Sequence, residues 1–236
     1  MYSQPVFYKI TNKHENHHGY QYRDGLNILS EPFNNNPRQP CVRGGFYFTT
    51  KEHLHKYLGY GVWIREVYLP TWDPNFQMVQ DPTGDKWRAN MIILGQRFHI
   101  FQMNMYLNAG LDVNKFINHP NFMPLVCRQG RTDVLDWIKC SRYYLFSPEQ
   151  IYEISKLEMV PPNVLEWFKL NIPDRVNFNQ YIFNAIENYN TATVCWLWNN
   201  RHLIDNNKHA AKIWTLSQPG YPIDQLYDYL KRMSLL

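Results

Sequence analysis

The chain has 236 residues, 44% hydrophobic and 19% charged, with a net charge of +4. This is ample for a buried core and excludes a disordered chain, while so modest a charge, with no run of Lys and Arg longer than two, argues against strong binding to a nucleic-acid backbone. The four cysteines (Cys41, Cys127, Cys140, Cys195) form no CxxC pair and give no disulfide framework or zinc ribbon, and no apolar run approaches the roughly 18 residues of a membrane span.

With no disulfide framework in the cysteine spacing, reduced thiols in a cytosolic-type compartment are expected, and the opening stretch, MYSQPVFYKI, lacks the charged and apolar regions of a signal peptide. Up to about residue 101, short apolar stretches alternate with turn residues. PVFYKIT, GGFYFTT, VWIREVYLP, NMIILG and RFHIF are strand signals. KEHLHKYLGYG predicts a short helix with Thr50 as N-cap and Gly59 near its end, and EPFNNNPRQP predicts a loop. Residues 1–101 therefore read as a mixed, β-rich domain. HENHHGYQY carries His14, His17 and His18, and EHLHK adds His53 and His55. Imidazoles this close can hold zinc or copper, but none has a partner at recognised ligand spacing and a polar turn accounts for them, so no metal is expected. There is no Walker-type phosphate loop, GxSxG elbow or HExxH, and no catalytic residue or cofactor is assigned.

From residue 102 the pattern turns helical and repeats. Val134, Val164 and Val194 fall at steps of 30, and Trp137, Trp167 and Leu197 follow the same steps. Weaker copies put Tyr106 and Tyr229 in the Trp position. A period of this length means stacked units that cannot bury their apolar faces alone. Each reads as two helices. SPEQIYEISKLEM has Ser147 as N-cap, Pro148 at the first helical position and Gln150 at the third; Pro161 and Pro162 open its partner, PPNVLEWFK. FNQYIFNAIENYN places Phe178, Ile182, Ala185 and Ile186 on one face, and TATVCWLWNN follows it. DNNKHAAKIWTLSQ and YPIDQLYDYLKRM make a last pair. The predicted class is α+β: a β-rich domain over 1–101, then a helical array over 102–236. Trp137 and Trp167 are expected in the core between repeats. Trp196 and Trp198 flank Leu197 and cannot both face its side, so one of them is expected on the surface as an interaction candidate.

YLNAGLDVN resembles the end of an ankyrin repeat. MPLVCRQGRTDVLDWIK resembles its first helix, turn and second helix, with Gly130 at the turn. The later units depart from that pattern: no T-P-L-H tetrapeptide appears, ENYNTATV lacks the turn glycine, and the second helices are Trp-rich. Repeats of this style are similar to those of mimivirus-like giant DNA viruses, and the stretch before them resembles the leading domain of such proteins. The Asn-rich, Ala-poor composition agrees with an AT-rich genome. The resemblance implies a non-enzymatic viral interaction module that engages a host or viral protein through its repeat surface in the host cytoplasm, without cofactor or membrane.

A second resemblance is local. CVRGGFYFTTKEHLHKYLGYGVWIREVYL resembles the middle of ADP-ribosyltransferase-like folds, in which such a strand lines the NAD cleft. Carried over, it puts Tyr47, Thr49 and Thr50 at a cleft. That family's glutamate sits in a late Q-x-E or E-x-E pattern, which is missing here; Glu66, the only strand glutamate, comes earlier. A third reading, RNA or nucleotide binding, would use Trp63, Arg65, Trp87 and Arg88.

Overall fold

The computed structural model describes residues 6–141, 146–188 and 190–204, apart from a few helical side chains that include those of Ile186 and Trp198. The chain divides into two compact units, Met1–His119 and Pro120–Leu236.

The first unit is built on strands β1 (Phe7–Thr11), β2 (Asn16–His17), β3 (Tyr20–Gln21), β4 (Gly25–Ile28), β5 (Phe46–Thr49), β6 (Trp63–Tyr68), β7 (Met78–Gln80), β8 (Lys86–Ala89) and β9 (Met91–His99). β2 and β3 form a small hairpin, and the other seven make one sheet in the order β4-β9-β6-β1-β5-β8-β7. Every pairing is antiparallel. β1 is the middle strand. It pairs with β6 from Phe7↔Val67 to Thr11↔Trp63, and with β5 through Tyr8↔Thr49. Its two neighbours pair both of its edges, and Tyr8, Lys9, Ile10 and Thr11 are all buried.

The strand signals hold, with one merger: NMIILG and RFHIF are a single strand, β9, whose ladder with β6 is irregular between Arg65 and Val67. The short helix is a 3-10 helix over Leu54–Tyr60, anchored by buried Leu54 and Leu58. Thr50 does not cap it. The Thr50 carbonyl instead accepts the His53 N–H at 3.2 Å, so a turn intervenes and His53 takes the cap position. The loop at EPFNNNPRQP is present as expected, and so are two helices, α1 (Met103–Asn108) and α2 (Val113–Ile117), which belong to this first unit. Tyr106 is fully buried and its hydroxyl donates to the Ile100 carbonyl at 2.6 Å.

The second unit contains α3 (Phe122–Arg128), α4 (Thr132–Cys140), α5 (Pro148–Ser155), α6 (Pro162–Asn171), α7 (Phe178–Glu187) and α8 (Thr191–Asn199). Their starts follow from local chemistry. Ser147 and Gln150 form a reciprocal capping box with Pro148 in the first turn, and Pro161 and Pro162 open α6, where a missing N–H costs little. Gly130 supplies the left-handed turn between α3 and α4 with φ 66°. Val134, Val164 and Val194 are all buried on the second helix of their pairs, as the 30-residue step requires. Phe178, Ile182 and Ala185 are buried along α7. Trp167 is buried, with its ring 6.2 Å from that of Phe146. Trp137 is only half-buried, against expectation; a ring this large often keeps an edge in solvent. Tyr229 and the last predicted helix pair lie outside the described residues.

Candidate functional site

Two regions carry the geometry on which a function could rest. The first is the stack of helix pairs. Trp167 Nε1 donates to Asp136 Oδ1 at 2.7 Å, and Trp196 Nε1 donates to Glu166 Oε2 at 3.0 Å. Lys139 Nζ donates to Asn171 Oδ1 at 2.5 Å, and Lys169 Nζ to Asn200 Oδ1 at 2.8 Å. Asn163 Nδ2 donates to the Gly130 carbonyl at 2.7 Å, and Thr193 Oγ1 to the Val160 carbonyl at 2.9 Å. Each pair spans 30 to 33 residues, one unit of the repeat.

 The Asn184 amide adds slightly shorter steps, donating to the Ser155 carbonyl at 2.8 Å over 29 residues and to the Leu157 carbonyl at 3.1 Å over 27. Polar rungs at the repeat spacing thus fix one pair of helices on the next, around the apolar seam of valines. Gly130 fits this scheme, because a Cβ there would stand 3.3 Å from the Asn163 amide that binds its carbonyl. Trp196 is half-buried and acts as a rung, so its indole is not free on the surface. The side chain of Trp198 lies outside the described residues. Large apolar side chains that do face solvent in this unit are Tyr152 on α5, Met159 in the turn after it, and Leu170 on α6, at 60%, 52% and 71% exposure.

The second region is a cavity of about 580 Å³ in the sheet unit. β1 contributes Lys9, β5 contributes Phe46, Tyr47 and Thr49, the β2–β3 hairpin contributes His17 and Tyr20, and the 3-10 helix contributes Tyr57 and Tyr60. Lys9 is 6% exposed; its Nζ donates to the Tyr47 carbonyl at 2.8 Å and stands 5.0 Å from the centre of the Tyr22 ring. Burial pulls this ammonium from 10.5 down to about 8. Burial, then the charges of Lys9 and His18, also pulls His17 down. Lys86 reaches the Cys41 Sγ at 3.2 Å and Asp81 at 3.7 Å.

The structure brings Tyr47 and Thr49 to this cavity, but neither Thr50 nor Glu66 is among its lining residues. The Tyr47 hydroxyl donates to the Val42 carbonyl at 3.0 Å, and Thr49 Oγ1 donates to the Asp85 carbonyl at 2.5 Å. Glu66 Oε2 accepts the Tyr68 hydroxyl at 2.9 Å and the Gln96 N–H at 3.3 Å. The carboxylate that the transferase resemblance would need is therefore turned to a local hydrogen-bond pair. The arginines of the nucleic-acid reading are also committed internally. Arg65 is buried, with Nη2 at 2.5 Å from Asp24 and Nε at 3.3 Å from Glu15. Arg88 is fully buried and donates to the carbonyls of Asn34, Asn36 and Gln39 at 2.8, 2.5 and 3.1 Å. A guanidinium enclosed by its own chain has no face left for a phosphate. Trp87 packs against the sheet core, and Trp63 stacks under Arg97, whose guanidinium carbon is 4.7 Å from the ring centre.

No family model matches the chain, and no solved structure does. Its relatives are proteins of Acanthamoeba polyphaga mimivirus. One, named as an ankyrin repeat protein, is 58% identical over 90 residues, which cover 38% of this chain and 45% of the relative. Another ankyrin-repeat-named protein is 36% identical over 135 residues, or 57% of this chain and 40% of the relative. A third mimivirus protein is 41% identical over 121 residues, covering 50% of this chain and 87% of the relative. The chain belongs to this mimivirus family of ankyrin-repeat-type proteins. It spans less than half the length of the two ankyrin-repeat-named relatives.

For a member of this family the sequence reading missed Lys9, Tyr57, Tyr60 and Lys86. Lys9 did leave a signal: a cation inside the apolar run VFYKIT, which the strand pattern alone would place at a buried position. Tyr57 and Tyr60 left none, because aromatic residues in a short helix serve a core equally well. Among the described residues no group of three or more His, Cys, Asp and Glu is gathered as a metal site, and no helix is long and apolar enough to cross a membrane.

Proposed function

We propose that this protein is a non-enzymatic interaction module that holds a host or viral protein against the surface of its helix pairs, in the host cytoplasm. The observation that carries the reading is the set of polar rungs repeated at the unit spacing, from Asp136–Trp167 to Glu166–Trp196. Such rungs hold consecutive helix pairs in one register, and a rigid surface loses little conformational entropy on binding. Kinship with ankyrin-repeat-named mimivirus proteins supports the same reading. Tyr152 is the favoured anchor. It is exposed on the first helix of its pair, and Lys156 Nζ sits 3.8 Å from the centre of its ring. A rigid, amphipathic aromatic side chain suits an interface hot spot.

The test is quantitative capture from infected host cells on the immobilised chain, compared with Tyr152→Ala and Leu170→Ser. Both side chains are exposed, so the melting temperature should stay within a few degrees while a specific partner is lost. Capture that survives both substitutions would remove the repeat surface from the reading. Fractionation of infected cells tests the cytoplasmic location.

A further inference from the structure

We infer that the cavity of the sheet unit binds a free nucleoside monophosphate, with the phosphate on Lys9 and the base among the tyrosines at the mouth. The starting point is a lysine where physical chemistry disfavours one. Lys9 lies in the middle strand of a seven-stranded sheet and is more than nine-tenths buried, yet no carboxylate lies within 4 Å of its Nζ among the described residues. One of its three protons is taken by the Tyr47 carbonyl, and the side chain lines the cavity. An ammonium kept in so dry a place without a counter-ion is compensated when an anion arrives.

The cavity favours an anion in other ways. Of the three cations in its lining, Arg43 is paired with Glu31 at 2.7 Å and Lys86 with Asp81 at 3.7 Å, which leaves Lys9 as the one that lacks a carboxylate among the described residues, with Lys86 near enough to add a second positive pole. Lysines serve phosphate as compact point charges. The rest of the lining suits a flat ring. Tyr57 and Tyr60 stand 6.0 Å apart with their planes at 54°, and His17 meets the Tyr60 ring edge-on at 5.9 Å. Tyr60 is 54% exposed, so a π face is open to an incoming base. The volume of about 580 Å³ falls in the range of small-molecule sites and leaves room for a base, a ribose and one phosphate.

The experiment is calorimetric titration of the full chain with AMP, GMP, CMP and UMP, with adenosine and inorganic phosphate as partial ligands. At least one monophosphate should bind, and at least tenfold more tightly than either partial ligand. Lys9→Met should weaken it tenfold or more, and Lys9→Arg should recover part of the loss. Tyr60→Ala, at an exposed position that does not threaten the fold, should weaken it at least threefold. It also keeps the test open if Lys9→Met fails to fold. A 5′-phosphorylated tetranucleotide should bind no more tightly than the monophosphate. The proposal is overturned if no monophosphate binds, if Tyr60→Ala and the folded Lys9 variants leave affinity unchanged, or if the tetranucleotide binds more than tenfold tighter, which would make the ligand a nucleic-acid strand.

Discussion

The indole N–H of Trp167 donates to the carboxylate of Asp136 across 2.7 Å, from 31 residues further along the chain. This bond joins α6 to α4, and Trp196 repeats it on Glu166 one unit later. The two contributions of Trp167, its buried ring and its donor, can be separated. Trp167→Ala removes both and should cost about 3–5 kcal/mol, the range for a large core aromatic. Asp136→Ala keeps the ring but leaves its N–H without that acceptor, and should cost about 1–2 kcal/mol. Asp136→Asn keeps an acceptor and should cost less. Denaturant unfolding of the three variants checks the order, and equal costs for Asp136→Ala and Asp136→Asn would show the bond to be idle.

Lys9 should give the protein an unusual pH dependence. Its folded value is about 8 against 10.5 for the free group. Between those values the unfolded chain holds the proton and the folded chain has released it, so stability rises with pH in that window. Below about 8 both states are protonated and the folded one bears the full burial penalty. Tyr22, pushed upward by burial, acts in the opposite direction above its ordinary 10.0, because the folded phenol then keeps a proton that the unfolded one loses. Cys127, pushed up from 9.0 by burial, opposes the gain in the same way from about pH 9, so the Lys9 share, on the order of 2 kcal/mol between pH 8 and 10, is read as a difference between wild type and Lys9→Met. Chemical melts at pH 7.5 and 9.5 should show the wild type gaining about 2 kcal/mol relative to Lys9→Met. Parallel curves for the two proteins would place the amine in water.

Much of the architecture was legible because it is periodic. Val134, Val164 and Val194 mark one buried seam at a constant step, and Ser147 with Gln150 announces a helix start through chemistry confined to four residues. Long-range polar matches were not legible. The partners of Arg88 lie 49 to 54 residues away in a loop, and a pattern read along the chain holds no trace of them. For the same reason Arg65 and Arg88 looked like surface cations. The sequence left open which of Trp196 and Trp198 faces solvent, because the acceptor of Trp196, Glu166, stands in the preceding unit. The cavity was hidden more deeply. It gathers side chains from β1, the hairpin, β5 and the 3-10 helix, and only the sheet order brings these together.

Glu66 separates the transferase-like resemblance from the binding site. Its carboxylate accepts from Tyr68 and from the backbone of Gln96, away from the residues that line the cavity. Glu66→Gln should therefore leave monophosphate affinity unchanged within twofold, and the purified chain should release no nicotinamide from NAD above the buffer blank. Nicotinamide release that disappears in Glu66→Gln would instead assign the carboxylate a role in cleavage.

Arg88 governs the wall of the same cavity from outside it. Its guanidinium gathers the carbonyls of Asn34, Asn36 and Gln39, lies 3.4 Å from the Tyr47 hydroxyl, and stands 3.8 Å from Asp81. Gly45 makes room for it, since a Cβ there would come within 2.9 Å of the Arg88 Cβ. Arg88→Met would leave three carbonyls without their donor and Asp81 without its nearby guanidinium, a change that typically costs about 3–5 kcal/mol when a buried charged partner is removed. Arg88→Lys should fall between, because one ammonium cannot reproduce the planar fork that reaches three separate carbonyls. The loop itself gives a local readout. Arg38 and Arg43 within it are exposed or partly exposed trypsin sites, and the carbonyls held by Arg88 lie on either side of Arg38. Limited trypsin digestion should therefore cut Arg88→Met at Arg38 many times faster than the wild type, at a temperature where both remain folded by circular dichroism. Equal cutting rates would mean that the loop holds its shape without the guanidinium.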